Sequence, residues 1–286
     1  MPTVSELHLH PVKACGRIEV DEATVGPHGF VGDREWQVCA EDGTPLTQRT
    51  HPMLATVRPE LIDGGLMLRA PGRADLAVEH PGDGAEPVTV KELTGTEVEL
   101  VDAGDAAARW SSGLVGESVR LYAIGATYQR PLGGPLPWAS AALGDLCPML
   151  LANDASLLDL QAAATAPFGM ERFRPNVVIE GVPAWDEDTW AVVRIGEATA
   201  VGGVPWPRCA VPQVDQETGE RHQEPAKVLA ATRWCLEAVG APEGLAHLFE
   251  GSTLFGAGVG MDPVGATIRV GDEVEVLERR EPFILR

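Results

Sequence analysis

Glycine and proline interrupt this chain so often that no apolar run grows long, and this limits its fold more than any other feature. There are 32 glycines and 23 prolines among 286 residues, scattered rather than clustered. Such punctuation favours short strands joined by tight turns over a helical bundle. Residues 4–9 alternate roughly with period two. The run 35–40 is followed by Asp42-Gly43, the favoured dipeptide of a hairpin turn, and by a second extended stretch from Pro45. Leu66–Leu68, Leu76–Val78, Val88–Val90 and Glu97–Leu100 read as further short strands, and Val177–Glu180 as a buried one.

Three segments predict helices. Residues 102–114 carry an alanine run, with Asp105 as an early cap. Ser156 and Asp159 form a pattern close to a capping box, so a short helix should follow. The strongest helical stripe runs from Pro225 to Val239. Proline suits the first turn, Val228, Leu229, Thr232, Cys235, Leu236 and Val239 share one face, and Gly240 stops it. Thr267–Val270 and Val274–Leu277, about Gly271-Asp272, predict a closing hairpin. Pro131, Gly133, Gly134 and Pro135 place a domain boundary or long crossing loop within residues 128–139. The predicted fold class is mostly β, barrel-rich α+β with a few helices. No regular strand–helix alternation and no GxGxxG or GxxxxGK motif supports a doubly wound sheet.

The formal net charge of −20 argues against nucleic acid and anionic membrane surfaces as partners. No apolar stretch reaches the roughly 20 residues of a membrane span, and the first residues lack the basic and apolar regions of a secretory signal. The five cysteines, Cys15, Cys39, Cys147, Cys209 and Cys235, are irregularly spaced without a CxxC, which disfavours disulfides and structural zinc. A cytoplasmic location with free thiols is the expectation.

Cys209 is the first candidate for chemistry. It follows Arg208 between Pro207 and Pro212, so its segment is stiff, and a neighbouring guanidinium favours the thiolate that binds soft metals or attacks electrophiles. Against this, free cysteines are commonly small core residues, which is how Cys235 reads on its apolar stripe. Only three lysines are present, so basic residues at strand mouths stand out. These are Lys13 after the first strand, Arg34 before another, and Arg172, Arg174 and Asn176 leading into the Val177 strand. Together they suggest an anionic ligand such as a phosphate, and the helix opening near Ser156 could add amide donors. The alternative is that each cation pairs with a local carboxylate such as Asp33 or Glu171. His8 and His10, two apart, hint weakly at a metal, but a surface strand is the stronger reading.

These same segments resemble a known family over nearly the whole chain. His10-Pro-Val-Lys-Ala-Cys15, Gly29-Phe-Val-Gly-Asp-Arg34 and Leu46-Thr-Gln-Arg49 carry the likeness in the first part. Asp154-Ala-Ser-Leu157, Arg172-Phe-Arg-Pro-Asn176, Glu187-Asp-Thr-Trp190, Arg208-Cys209, Val214-Asp-Gln-Glu-Thr-Gly219 and Gly265-Ala-Thr-Ile-Arg-Val-Gly-Asp272 carry it in the second. In order and spacing they resemble the MOSC proteins with an N-terminal MOSC β-barrel, the group of the amidoxime-reducing components. The resemblance implies an N-terminal β-barrel domain at 1–125 and a MOSC domain at 126–286. It also implies a molybdenum–molybdopterin cofactor with Cys209 as metal ligand and catalytic thiolate. Lys13, Arg34, Arg174 and Asn176 match residues that hold the pterin and phosphate. Ser156 lies in a matching loop, and Arg172 and Arg208 lie in matching segments. The implied reaction is reductive removal of oxygen from N-hydroxylated compounds such as amidoximes or hydroxylamines. The chain has no clustered cysteines like those of a ferredoxin domain, so a separate electron-transfer protein is expected. A sulfur-transfer or cofactor-carrier protein using Cys209, and a non-catalytic interaction module, are the competing readings. Two departures from the family pattern are Ala14, where a serine is frequent, and Pro212-Gln213, where two threonines are frequent.

Overall fold

The computed structural model describes residues 1–82, 84–92, 95–132, 136, 139–144, 146–238 and 246–281. The largest sheet has eight strands, in the order Val274–Arg279, Trp190–Ile195, Ala198–Arg208, Thr253–Asp262, Met149–Asn153, Val177–Glu180, Thr3–Leu9 and Ile18–Val20. It thus draws its last two strands from the start of the chain. Thr3–Leu9 pairs antiparallel with Val177–Glu180, with an irregularity between Val4 and Glu6. Met149–Asn153 pairs parallel with Val177–Glu180. Val177, Val178 and Ile179 are all buried, as a strand covered on both faces requires. A second, four-stranded sheet runs Trp36–Ala40, Val119–Ile124, Glu97–Asp102, Pro87–Lys91. A three-stranded meander follows the order Arg58–Ile62, Gly65–Arg69, Leu76–Glu79. The fold class is the one expected, mostly β, and the short strands read from the sequence form, except the stretch from Pro45, which makes only a single bridge to Cys39.

Each large sheet has its own apolar core. Leu7, Trp190, Ile195 and Ile268 are among those filling the first, and Trp36, Leu54, Leu66 and Leu121 among those filling the second. The Asp42-Gly43 turn forms as expected: Gly43 N donates to Ala40 O at 3.0 Å and Ala40 N to Thr44 O at 2.9 Å. The first helix spans Gly104–Val115 and stops at Gly116 in the left-handed region. Asp105 lies in its first turn but does not cap it; the Gly104 amide donates instead to Asp102 Oδ1 at 2.7 Å. The second helix, Asp154–Ala163, is capped by Asn153, whose side chain accepts from Ala155 N. Ser156 therefore sits inside the first turn, not at the cap.

Two expectations are corrected. The helix predicted from Pro225 to Val239 is helical only over Ala226–Thr232. Beyond it the backbone enters sheet pairing: Leu254 N donates to Arg233 O at 3.0 Å and Cys235 N to Ser252 O at 2.9 Å. The Arg233 guanidinium is buried, donates to Asp188 Oδ2 at 2.6 Å and lies 3.9 Å from the Trp185 ring centroid. These tertiary contacts outweigh helical propensity, which is worth under 1 kcal/mol per ordinary residue. Leu236, expected on the apolar face, is 66% exposed, whereas Cys235 is buried as foreseen. Val239 and Gly240 lie outside the described residues, as do Gly133, Gly134 and Pro135 of the expected crossing loop. The closing hairpin is the second correction. Thr267–Arg269 pairs with Glu22–Gly26 and Val274–Arg279 with Trp190–Ile195, so the two strands separate to different sheets.

Candidate functional site

Beside the strands Met149–Asn153 and Ala198–Arg208 of the large sheet, a cavity of about 380 Å³ opens. Lys13 leaves the end of the first strand, its backbone N donating to Trp36 O at 2.7 Å, and its side chain is only 8% exposed. Arg34 enters from a turn whose amide is held by His10 O at 2.9 Å. Arg174 comes from the turn before Val177. Arg208 and Cys209 lie at the end of the long strand Ala198–Arg208. All five residues line the cavity, as do Asn176 and Arg49.

The lining therefore carries five cations, Lys13, Arg34, Arg49, Arg174 and Arg208, and no carboxylate among its described residues. In a chain of net charge −20 this is a concentrated positive field, which a polyanion would relieve. Cys209 is the exposed cysteine; the other four are buried. Burial pushes the thiols of Cys15 and Cys147 up to about 12, against the pull of Arg174 and Arg58 on the former and of Arg130 on the latter. Burial likewise raises Cys39 to about 11.

Backbone strain concentrates here. Four non-glycine residues in the described chain have positive φ: Ala14, Arg34, Arg174 and Trp185. The first three line the cavity. Left-handed backbone at such residues costs about 1–3 kcal/mol each and gathers where function demands it. At Arg34 and Arg174 a hydrogen-bond network holds the conformation. Arg34 Nη1 donates to Asp33 and, at 2.9 Å, to Asn176 Oδ1, while Nη2 donates to Arg174 O at 3.1 Å. Arg174 Nη1 donates to Cys15 O and, at 3.2 Å, to Gln216 Oε1. Asn176 has its carboxamide engaged by the protein: Nδ2 donates to His8 O at 3.1 Å, and Oδ1 also accepts from Leu150 N at 3.1 Å. Its geometry is that of a bracket positioning Arg34. The Arg208 guanidinium donates to Phe173 O at 2.8 Å and lies 5.5 Å from that ring's centroid.

Two predicted site residues are not brought to the cavity. Ser156 is fully buried, donates to Glu187 Oε2 at 2.9 Å and accepts from Trp185 N at 2.7 Å. Its hydroxyl ties the helix opening to the Asp186–Thr189 turn rather than facing a ligand. Arg172 is also buried, donating to Pro212 O and to Asp215 Oδ2, both at 3.2 Å, with Glu171 at 3.8 Å. It clamps the Val211–Gln213 turn that follows Cys209. Arg172 thus pairs with nearby carboxylates, and Arg34 likewise pairs with the buried Asp33 while also lining the cavity. His8 and His10 are 0% and 1% exposed, so the surface-strand expectation is corrected. Burial first, then the charges of Arg174 and Arg34, depress His10 well below its usual value, leaving it neutral behind the cavity.

Thr47, Arg49, Cys147 and Trp206 are among the lining residues that sequence reasoning does not propose for the site. The segment Leu46-Thr-Gln-Arg49 carries a signal, since it is one of the family-like fragments. Cys147 has none. Near it, the Arg130 guanidinium, in a buried ion pair with Glu92, donates to Gly144 O, another lining residue.

Comparisons with known proteins agree with this architecture. Residues 1–118 match the MOSC N-terminal beta barrel domain and residues 139–275 the MOSC domain. Mitochondrial amidoxime reducing component 2 of Rattus norvegicus is 33% identical over 285 residues, 95% of this chain and 82% of the relative. Its Homo sapiens counterpart is 31% identical over 283 residues, with the same coverage. Molybdenum cofactor sulfurase of Anopheles gambiae is 30% identical over 250 residues, 80% of this chain but 32% of that protein. The fold is thus that of a protein carrying a MOSC N-terminal beta barrel domain and a MOSC domain. The chain belongs to the family of MOSC proteins with an N-terminal MOSC β-barrel, to which the mitochondrial amidoxime reducing components belong. The cytoplasmic expectation is overturned by these relatives, whose names point to mitochondria.

Proposed function

We propose that this protein is a molybdenum-cofactor-dependent reductase of N-hydroxylated compounds such as amidoximes and hydroxylamines. The observation that carries the reading is the cavity itself, with five cations, no described carboxylate and one exposed thiol at its edge. A pterin phosphate carries about −2 charge and needs several charge-assisted donors, and a thiolate suits a soft metal. The residues present therefore fit the cofactor. Lys13, Arg34, Arg174 and Arg208 would hold its anionic parts, with Arg49 adding charge at the wall. Asn176 positions Arg34, and Cys209 would ligate the metal. When bound, the cofactor supplies the two-electron redox chemistry. Substrate N–O cleavage consumes two electrons and two protons and releases the oxygen as water. The electrons come from a separate electron-transfer protein. Arg172 and Ser156 support the Cys209 turn and the neighbouring helix.

The exposure of Cys209 also supports a second reading, sulfur transfer or cofactor carriage, since the likeness to cofactor sulfurases covers 80% of this chain. One experiment separates the two. The protein is made in a host supplied with molybdate and able to make the pterin. Metal is measured by elemental mass spectrometry in wild type and Cys209→Ser, and benzamidoxime reduction is followed with a chemical electron donor. Near-stoichiometric molybdenum and turnover, both lost in the variant, support the reductase. Bound cofactor without turnover favours the carrier. Absence of molybdenum from folded wild type overturns the reductase and the cofactor carrier and leaves sulfur transfer, read as labile sulfur on Cys209.

A further inference from the structure

We infer a second, zinc-class metal site at the edge of the large sheet, formed by Glu6, His8 and Glu19. None of the three lines the cavity at Cys209, so the inference stands apart from the proposed reaction. Glu6 and His8 are two residues apart in the strand Thr3–Leu9 and project to one face. Glu19, in the edge strand Ile18–Val20, is the register partner of His8. One ligand atom from each residue lies within 4.8 Å of the others.

The second observation is the state of the buried atoms. His8 is 0% exposed. Its Nε2 is in ion-pair contact with Glu6 Oε2 at 3.2 Å, outside good hydrogen-bond geometry, and its Nδ1 has no hydrogen-bond partner. A buried imidazole left this way costs about 1–3 kcal/mol. A cation between imidazole and carboxylate satisfies both, and Glu19 supplies a third donor from across the strand pair. One imidazole and two carboxylates suit zinc, which takes nitrogen and oxygen ligands in a compact tetrahedron. Calcium instead requires six to eight oxygens. Glu19 also lines a neighbouring cavity of about 540 Å³ shared with His10 and Arg17, so solvent reaches a fourth position. The ion would pin the short edge strand to its neighbour.

The test titrates the purified full-length protein, cleared of loose ions by a mild chelator, with zinc chloride in a calorimeter. Cobalt(II) absorption serves as the second readout. One equivalent is expected to bind, with a cobalt spectrum lacking sulfur charge-transfer bands. Glu19→Gln, a change on the exposed edge that leaves the fold intact, should weaken binding by about 100-fold, since even outer-shell partners of a metal are worth about 10–100-fold. His8→Asn should do the same. No zinc uptake would show that His8 and Glu6 merely share a proton, and would overturn the site. Uptake unchanged in Glu19→Gln, or a sulfur–cobalt band, would place the ion elsewhere and overturn it equally.

Discussion

Arg34 and Asn176 lie 142 residues apart in sequence and meet at 2.9 Å, guanidinium to carboxamide, beneath the cavity. The same carboxamide oxygen accepts from Leu150 N, and its nitrogen reaches His8 O. Asn176→Ala would remove all three bonds and leave buried groups unpaired, so it should cost about 2–4 kcal/mol by denaturant titration. Arg34 would lose its fixed direction, and cofactor content should fall in whatever fraction stays folded. Stability unchanged in Asn176→Ala would refute the bracket role.

Cys209 is exposed, whereas the other four cysteines are buried, three with thiols raised to between about 11 and 12. One thiol should therefore react quickly with a disulfide reagent in the native protein near neutral pH. Cys209→Ser should abolish that fast phase while moving stability by less than about 0.5 kcal/mol, as surface substitutions do. A fast phase surviving in the variant would identify a different reactive thiol.

Lys13 presents its charge to the cavity from a site 8% exposed. Lys13→Met keeps the length of the stem and removes the charge. A charge-assisted bond contributes about 1.5–3 kcal/mol, so cofactor retention should weaken by about 10–100-fold. The comparison is molybdenum content after dialysis, with circular dichroism confirming the fold. Retention equal to wild type would mean that Lys13 does not face the anion.

Glu187 is buried beside Asp188, and burial, reinforced by that neighbour, lifts its carboxyl from 4.5 to about 7. The bonds from Ser156 and Asn153 pull the other way. A carboxyl whose folded value lies above its unfolded one binds more protons when folded. Its penalty is thus absent below about pH 4.5, builds as the pH rises to about 7, and is constant above that. Glu187→Gln should remove this slope and gain at most about 3 kcal/mol at pH 8, the limit set by the shift at 1.36 kcal/mol per unit. Equal wild-type and variant stability at pH 5 and pH 8 would rule the effect out.

The sequence by itself determined the local grammar. Alternating runs cut by glycine and proline became strands, Asp42-Gly43 became a turn, and Lys13, Arg34, Arg174 and Asn176 at the strand mouths became part of the wall of one cavity. Such signals are local because they arise from backbone sterics and side-chain alternation over a few residues. Only the tertiary structure decided the long-range matters. It ended the third helix at Thr232, because Arg233 finds a buried carboxylate and its backbone a sheet partner. It parted the two closing strands between separate sheets. It turned Arg172 and Ser156 inward and buried His8 and His10. Each of these outcomes depends on partners tens to hundreds of residues away. No local propensity encodes them, because desolvated charge pairs and sheet hydrogen bonds outweigh the fractions of a kcal/mol that separate one local conformation from another.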